Sequence, residues 1–326
     1  MRCTSKVVGL LLTLSLTLGL CGCGWQKQTG DYQLYETSEQ YGIITGSSND
    51  TKLFSENLCV ADTTDFGMDQ VDSQVALGAG AFNTSTNTTL YAQHLHERLY
   101  PASTTKVMTA LVALKYGDLS KSYTVSELAC DQAADSSVAH LRPGDSFTLN
   151  QLLYGMLLMS GNDAAIAVAE AVGGNVDDFV AMMNAEAAAL GATNTHFMNP
   201  HGLDDENHYT TVYDMYLMFN AAVQYPEFVD MIHAVTYEAN YANAKGERTT
   251  ITWTTTNRYL KNMVASPDGF FMIGGKTGST GAAKYCLVQY STNSRNESII
   301  SVVFGADSPY NLYLLTSELL ATFGEN

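Results

Sequence analysis

The chain has 326 residues, 46% of them hydrophobic and 15% charged, which is enough apolar material for a folded core. With 16 Lys and Arg against 33 Asp and Glu, its formal net charge is −17. That balance excludes nucleic-acid binding through a basic face and opposes attraction to anionic lipid headgroups.

At the N-terminus, Arg2 and Lys6 precede an apolar run from Val7 to Leu20. The run is short for a membrane span and suits a signal peptide. It ends in Leu20-Cys21-Gly22-Cys23, where small residues precede a cysteine, as in the bacterial lipobox. Residues 1–22 are therefore expected to form a lipoprotein signal peptide. Lipidation of Cys23 would then anchor the chain on the outer face of the bacterial cytoplasmic membrane. An ordinary secretory signal or an uncleaved anchor is the alternative. Residues 23–70 are rich in Ser, Thr, Asp, Glu, Gln and Gly and read as a polar tether, with Leu58-Cys59-Val60 as the one stretch able to pack on a domain. Residues 71–326 read as one domain.

Gln74 to Phe82 and Thr88 to Ala92 read as paired strands joined by a polar turn. A helix starts at Ser103, with Val107, Ala110, Leu111 and Leu114 on one face, and stops at Gly117. Thr148 and Gln151 form a capping-box pattern before Leu152, Leu153, Met156 and Leu157. Further helices start at Asn175, ending near Gly191, and at Thr211. The last third turns β-like: Ile251 to Thr256, Gly281 to Ser291 and Ser298 to Phe304 read as strands, and Tyr310 to Phe323 as a final helix. This order predicts an α/β fold, a mainly antiparallel sheet flanked by helices with an all-helical subdomain inserted between its distant strands.

Beyond Cys23 the cysteines are Cys59, Cys130 and Cys286, so at most one disulfide can form among them. No Cys-x-x-Cys or His-x-x-x-His spacing supports a metal, and no cofactor motif is present.

Three short motifs carry chemistry. Ser103-Thr104-Thr105-Lys106 places a hydroxyl at a helix start and an amine one turn later on the same face. That lysine can act as a base only if burial or a cationic neighbour lowers its pKa, and Lys276 is a candidate neighbour. Ser160-Gly161-Asn162 is a polar break between two apolar helical runs, whereas other Ser-x-Asn matches fall in polar turns. Lys276-Thr277-Gly278, flanked by glycines, offers charge and hydroxyl to a carboxylate, and the backbone N–H of Ser279 can join that of Ser103 as an oxyanion hole. Each motif alone has an ordinary explanation as a cap, a turn or a hairpin. Their order along the chain is what points to acyl transfer.

Together with Ala192 to Phe197 and Asn199 to Leu203, these motifs make the region from Gln74 to Phe323 resemble the low-molecular-mass penicillin-binding proteins that act as D-alanyl-D-alanine carboxypeptidases. The resemblance implies the serine β-lactamase/transpeptidase-like fold, with peptidoglycan stem peptides as substrate and β-lactam antibiotics as acylating ligands. It implies that Ser103 is the nucleophile, Lys106 its base and Ser160 a proton relay helped by Lys276. Asn162 would hold the acyl group, and Lys276 and Thr277 the terminal carboxylate. His196 and His201 read as structural, and Met156, Met159, Met182 and Met183 as core.

The chain also departs from that family. It stops at Asn326, where relatives often continue into a β-domain and a membrane helix, so anchoring is expected to pass to Cys23. The region where the family often carries an arginine reads Phe304-Gly305-Ala306-Asp307, which would oppose an anionic substrate if Asp307 faced it. A β-lactamase and a non-catalytic penicillin-binding sensor are the alternatives. The former needs a water-activating glutamate, and Glu170 and Glu186 read as surface positions.

Overall fold

The computed structural model describes residues 55–325. The expected signal peptide, Cys23 and the expected tether as far as residue 54 lie outside the described residues. The stretch from residue 55, read as the end of the tether, packs on the domain. Cys59 is fully buried, its N–H donates to the Tyr216 hydroxyl (2.8 Å), and its carbonyl accepts from Tyr213 (2.9 Å). Leu58 and Cys59 pack on the domain without forming a strand, and Val60 stays exposed.

Five strands form one antiparallel sheet: β1 (Gly78–Asn83), β2 (Thr88–Gln93), β7 (Phe271–Thr280), β8 (Lys284–Thr292) and β9 (Ser298–Ala306), in the order β2-β1-β9-β8-β7. The N-terminal hairpin thus docks on the C-terminal strands, and everything between residues 93 and 271 is an insert. Along β9, Ile299 and Val303 point to one face and Ile300, Val302 and Phe304 to the other, the two-residue alternation of a strand buried on both sides. The first face packs on the final helix, residues Pro309–Phe323, through Leu312, Leu315 and Leu319. The second face meets the helices of the insert.

Those helices are α1 (Lys106–Tyr116), α2 (Glu127–Cys130), α3 (Leu149–Leu158), α4 (Asn162–Gly173), α5 (Val176–Ala189), α6 (Val212–Ala222) and α7 (Pro226–His233); the final helix is α8. Their starts follow the side-chain caps expected from sequence. Thr148 and Gln151 close a complete capping box, Asn175 accepts from the N–H of Asp178, and Thr211 from that of Asp214. Gly191, after α5, has the positive φ of a C′ residue (79°).

The insert is not all-helical. It also holds β3 (Ser122–Thr124), β4 (Ser146–Thr148), β5 (Thr236–Ala242) and β6 (Arg248–Thr254), an antiparallel sheet in that order. Strand β5 points Tyr237, Ala239 and Tyr241 to one face and Thr236, Glu238 and Asn240 to the other, but of these it fully buries only Ala239. It is held by cross-strand pairing of Tyr237 with Trp253 and by stacking of Tyr237 on Tyr154, ring centroids 3.7 Å apart. Cys59, Cys130 and Cys286 are all free thiols, with Cys286 fully buried in β8.

Candidate active site

Ser103 sits in a single 3₁₀ turn, Ala102–Thr105, that runs directly into α1. The turn is entered through Ala102 at φ 48°, a left-handed conformation that a side chain adopts at a cost of about 1 kcal/mol or more. The neighbouring loop accommodates it with glycine: a Cβ on Gly202, itself at φ 93°, would lie 1.9 Å from the Ala102 carbonyl oxygen. The turn leaves Ser103 part-exposed and Lys106 fully buried.

Lys106 Nζ is held by three oxygens from three parts of the chain. It lies 3.0 Å from Ser103 Oγ, 2.8 Å from Asn162 Oδ1 and 2.7 Å from the His201 carbonyl. The amide and carbonyl oxygens can only accept, so they take two N–H groups of the amine. The third position faces a hydroxyl, which can donate. Burial above all, then the charge of Lys276, holds the Lys106 amine well below the ordinary lysine range, against an opposing pull from Asp163. A neutral amine in this geometry turns its lone pair toward the Ser103 hydroxyl proton, the contact a general base requires.

Ser160 is the second strained residue, at φ 58° between α3 and α4. Its hydroxyl accepts from Lys276 Nζ (2.9 Å), which also donates to the Thr277 carbonyl (2.7 Å). Burial pushes Lys276 down to about 7, so at neutral pH it can carry or release a proton. Asp163, buried beside Asn162, accepts from the N–H groups of Ala139 and Leu141 and pins that loop to the start of α4.

Lys276, Thr277, Gly278 and Ser279 lie on β7, the edge strand of the five-stranded sheet. A Cβ on Gly278 would come within 2.8 Å of the Ser103 backbone nitrogen, so only glycine lets the strand approach the nucleophile this closely. Ser103, Ser160, Thr277, Gly278 and Ser279 line one cleft, together with Ser137, Thr256, Arg258, Tyr285, Pro309, Leu312 and Tyr313. The edge of β7 supplies the backbone groups with which an extended peptide can pair. A larger hollow of about 620 Å³, with Asn57, Asn220 and Tyr290 among its lining, carries no carboxylate, amine or imidazole and none of the motif residues.

The structure thus brings Ser103, Lys106, Ser160, Asn162, Lys276, Thr277, Gly278 and Ser279 together. Sequence reasoning missed the His201 carbonyl as an anchor for Lys106, and Thr256, whose hydroxyl is 2.7 Å from that of Thr277. No spacing rule marks a backbone carbonyl or an isolated threonine. No histidine lines the cleft. His208 bridges Thr105 Oγ1 and the Met198 N–H and is pushed down to about 4 by burial, while His201 is pushed to about 3 by burial and by Lys106. Both are neutral at pH 7. Glu186 is not a surface residue: it is buried and bonds Lys115 Nζ at 2.7 Å and the Tyr116 hydroxyl at 3.2 Å. Glu170 accepts from Ser126 Oγ (2.7 Å), and neither glutamate lines the cleft. Asp307 is exposed, accepts from Asn311 and does not line the cleft either.

Comparison with known proteins agrees with this geometry. The chain is 37% identical over 238 residues to D-alanyl-D-alanine carboxypeptidase DacF of Bacillus subtilis, covering 72% of this chain and 58% of that protein. It is 35% identical over 244 residues to the D-alanyl-D-alanine carboxypeptidase of Streptomyces sp. strain K15, covering 72% of this chain and 81% of the relative. It thus spans little more than half the length of the Bacillus relative. The crystal structure of the Streptomyces K15 DD-transpeptidase superposes with a TM-score of 0.70 at 33% identity, covering 76% of this chain and 95% of that one. The family model described as D-alanyl-D-alanine carboxypeptidase matches residues 66–308, a span that holds all three converging motifs, and the chain therefore belongs to the peptidase S11 family.

Proposed function

We propose that this protein is a serine D-alanyl-D-alanine carboxypeptidase acting on peptidoglycan stem peptides. The observation that carries the reading is the buried amine of Lys106, tied to two obligate acceptors with its remaining position on Ser103 Oγ. Lys106 takes the proton of Ser103 as Oγ attacks the carbonyl between the two D-alanines. The backbone N–H groups of Ser103 and Ser279 receive the developing oxyanion. The C–N bond breaks, and the proton taken by Lys106 passes through Ser160, assisted by Lys276, to the amine of the departing D-alanine. Water then attacks the acyl-enzyme on Ser103 and gives a proton to Lys106, which passes it to Ser103 Oγ as the acyl bond breaks and the shortened peptide leaves. Asn162 positions the acyl group, and Lys276 and Thr277 bind the terminal carboxylate. A β-lactam would acylate Ser103 by the same route, with its amine kept tethered after ring opening. A β-lactamase is disfavoured because Glu170 and Glu186 are engaged elsewhere.

The test is intact-mass spectrometry after penicillin treatment, with assay of D-alanine release from a D-Ala-D-Ala-terminated tripeptide. The wild-type protein should gain one adduct and release D-alanine, and Ser103→Ala should do neither. No adduct on the wild type, or an undiminished one on Ser103→Ala, overturns the reading. Lipidation of Cys23, with cleavage after residue 22, belongs to the same proposal and places the enzyme at the outer face of the membrane. Labelled fatty acid should enter the wild-type chain in cells and not Cys23→Ala; equal labelling of both rejects it.

A further inference from the structure

Two backbone groups that acylation needs come from segments far apart in the chain. The His201 carbonyl, which accepts from Lys106 Nζ, lies in the loop between α5 and α6. Ser279, whose N–H is to receive the oxyanion, lies exposed near the end of β7. That strand is the edge of its sheet, and a Cβ on Gly281, just past its end, would meet nothing within 4 Å. A strand end so open has few contacts of its own to fix its peptide groups.

Asp204 joins the two segments. Its Oδ1 accepts from Thr280 Oγ1 (2.6 Å) and its Oδ2 from the Ala282 N–H (3.2 Å), across 76 and 78 positions of the chain. Thr280 Oγ1 in turn accepts from the Ala283 N–H (3.0 Å), so one carboxylate gathers the whole turn between β7 and β8. His201 stands three residues before Asp204, and the stretch between them is stiffened locally. Asn199 Oδ1 accepts from the Gly202 N–H (2.7 Å), Asn199 Nδ2 donates to the Leu203 carbonyl (3.0 Å), and Gly202 sits against the Ala102 carbonyl. The loop is thus a short strut with the Lys106 anchor at one end and the hairpin at the other. Asp204 is itself exposed, where a carboxylate is ordinarily left to water, and it does not line the cleft.

We propose that Asp204 is a positioning residue for acylation, a latch that holds the Ser279 N–H in the oxyanion hole by tying the end of β7 to the loop that anchors Lys106. The proposal rests on the carboxypeptidase reading and deepens it. The close approach of Gly278 to the Ser103 nitrogen fixes one flank of Ser279, and Asp204 fixes the other through Thr280. A misplacement of about 1 Å at such a donor can cost about a hundredfold in rate. The role is geometric: loss of a negative charge alone would favour an anionic peptide, not harm the enzyme.

The test compares Asp204→Ala, Asp204→Asn, Thr280→Val and the Asp204→Ala/Thr280→Val double variant with the unmutated protein. Stopped-flow acylation by penicillin, turnover of a D-Ala-D-Ala-terminated tripeptide and the infrared band of the acyl-enzyme ester carbonyl are the readouts. Asp204→Ala should lower the acylation rate constant and kcat ten- to a hundredfold, with KM changed less than threefold, because both half-reactions pass through an oxyanion. Its ester carbonyl band should move to higher frequency as hydrogen bonding to that carbonyl weakens. Asn can accept from the Ala282 N–H and donate to Thr280 Oγ1, so Asp204→Asn should stay within fivefold of the unmutated rate. The double variant should lose little more than Asp204→Ala alone, since both changes open one latch. An Ala variant within threefold, an unshifted band, an Asn variant as slow as Ala, or losses that multiply in the double variant each overturn the inference. So does a variant that only acylates a smaller fraction of its molecules, at an unchanged rate constant, which marks a purely structural role. Failure of the unmutated protein to form an acyl-enzyme or release D-alanine overturns the carboxypeptidase reading instead.

Discussion

The cleft contains two serine–lysine pairs of the same composition that are held in different ways. Lys106 is tied to Ser103, Asn162 and His201, so every position on its nitrogen is occupied by an oxygen from a separate segment. Lys276 bonds Ser160 from across the cleft, but its other partner is the carbonyl of the next residue on its own strand. The first amine is locked, with one direction left for proton transfer. The second keeps an N–H free for an incoming group. Fold and burial thus turn one residue pairing into a locked amine and a less constrained one.

The comparison is broken most severely by removing the locked amine. Lys106→Met should slow acylation of Ser103 by penicillin roughly a thousandfold or more, whereas Ser160→Ala, which removes a relay, should cost about a hundredfold. Stopped-flow acylation rates measure both, and equal losses would erase the distinction between the pairs.

A smaller effect tests their coupling. Lys106 must be neutral to act as base, so activity falls as the pH drops through its pKa. The positive charge of Lys276 is among the causes that lower that pKa. In Lys276→Met the charge is gone, the Lys106 pKa rises, and the acid limb of the acylation profile should move to higher pH. A limb that stays in place or moves to lower pH would show that the two amines do not sense each other.

The smallest effect is on stability. Burial lowers Lys276 to about 7, while an unfolded lysine keeps its proton to about pH 10. Between pH 7 and 9 the unfolded chain therefore binds more protons, and stability should rise with pH. The gain is at most about 1.4 kcal/mol per pH unit for this group, with little change below pH 7. Urea midpoints should show this rise, and Lys276→Met should reduce its slope. An unchanged slope would mean that Lys276 is not the group responsible.

Local signals in the sequence reached far into the fold. The capping residues Thr148, Asn175 and Thr211 announced their helices because a cap is a contact between a side chain and a backbone N–H three residues on. The catalytic motifs were legible for a related reason: Ser103 and Lys106 lie one turn apart, so their meeting is set by helical geometry. Strand β5 was missed although Tyr237, Ala239 and Tyr241 alternate with polar residues, because the pattern is short, fully buries only Ala239 and relies on aromatic partners from other segments. Glu186 looked like a surface residue of an Ala-rich helix until Lys115 was found beside it.

The amino-acid sequence by itself determined which groups could do chemistry and in what order they occur, because capping, helical spacing and glycine freedom act within a few residues. Tertiary structure alone decided their environment. It buried two lysines, set the His201 carbonyl and Asn162 on one of them, and brought Thr256 and Thr277 to one cleft wall. Desolvation and charge–charge coupling depend on atoms brought close from distant parts of the chain, and no local pattern of residues encodes them.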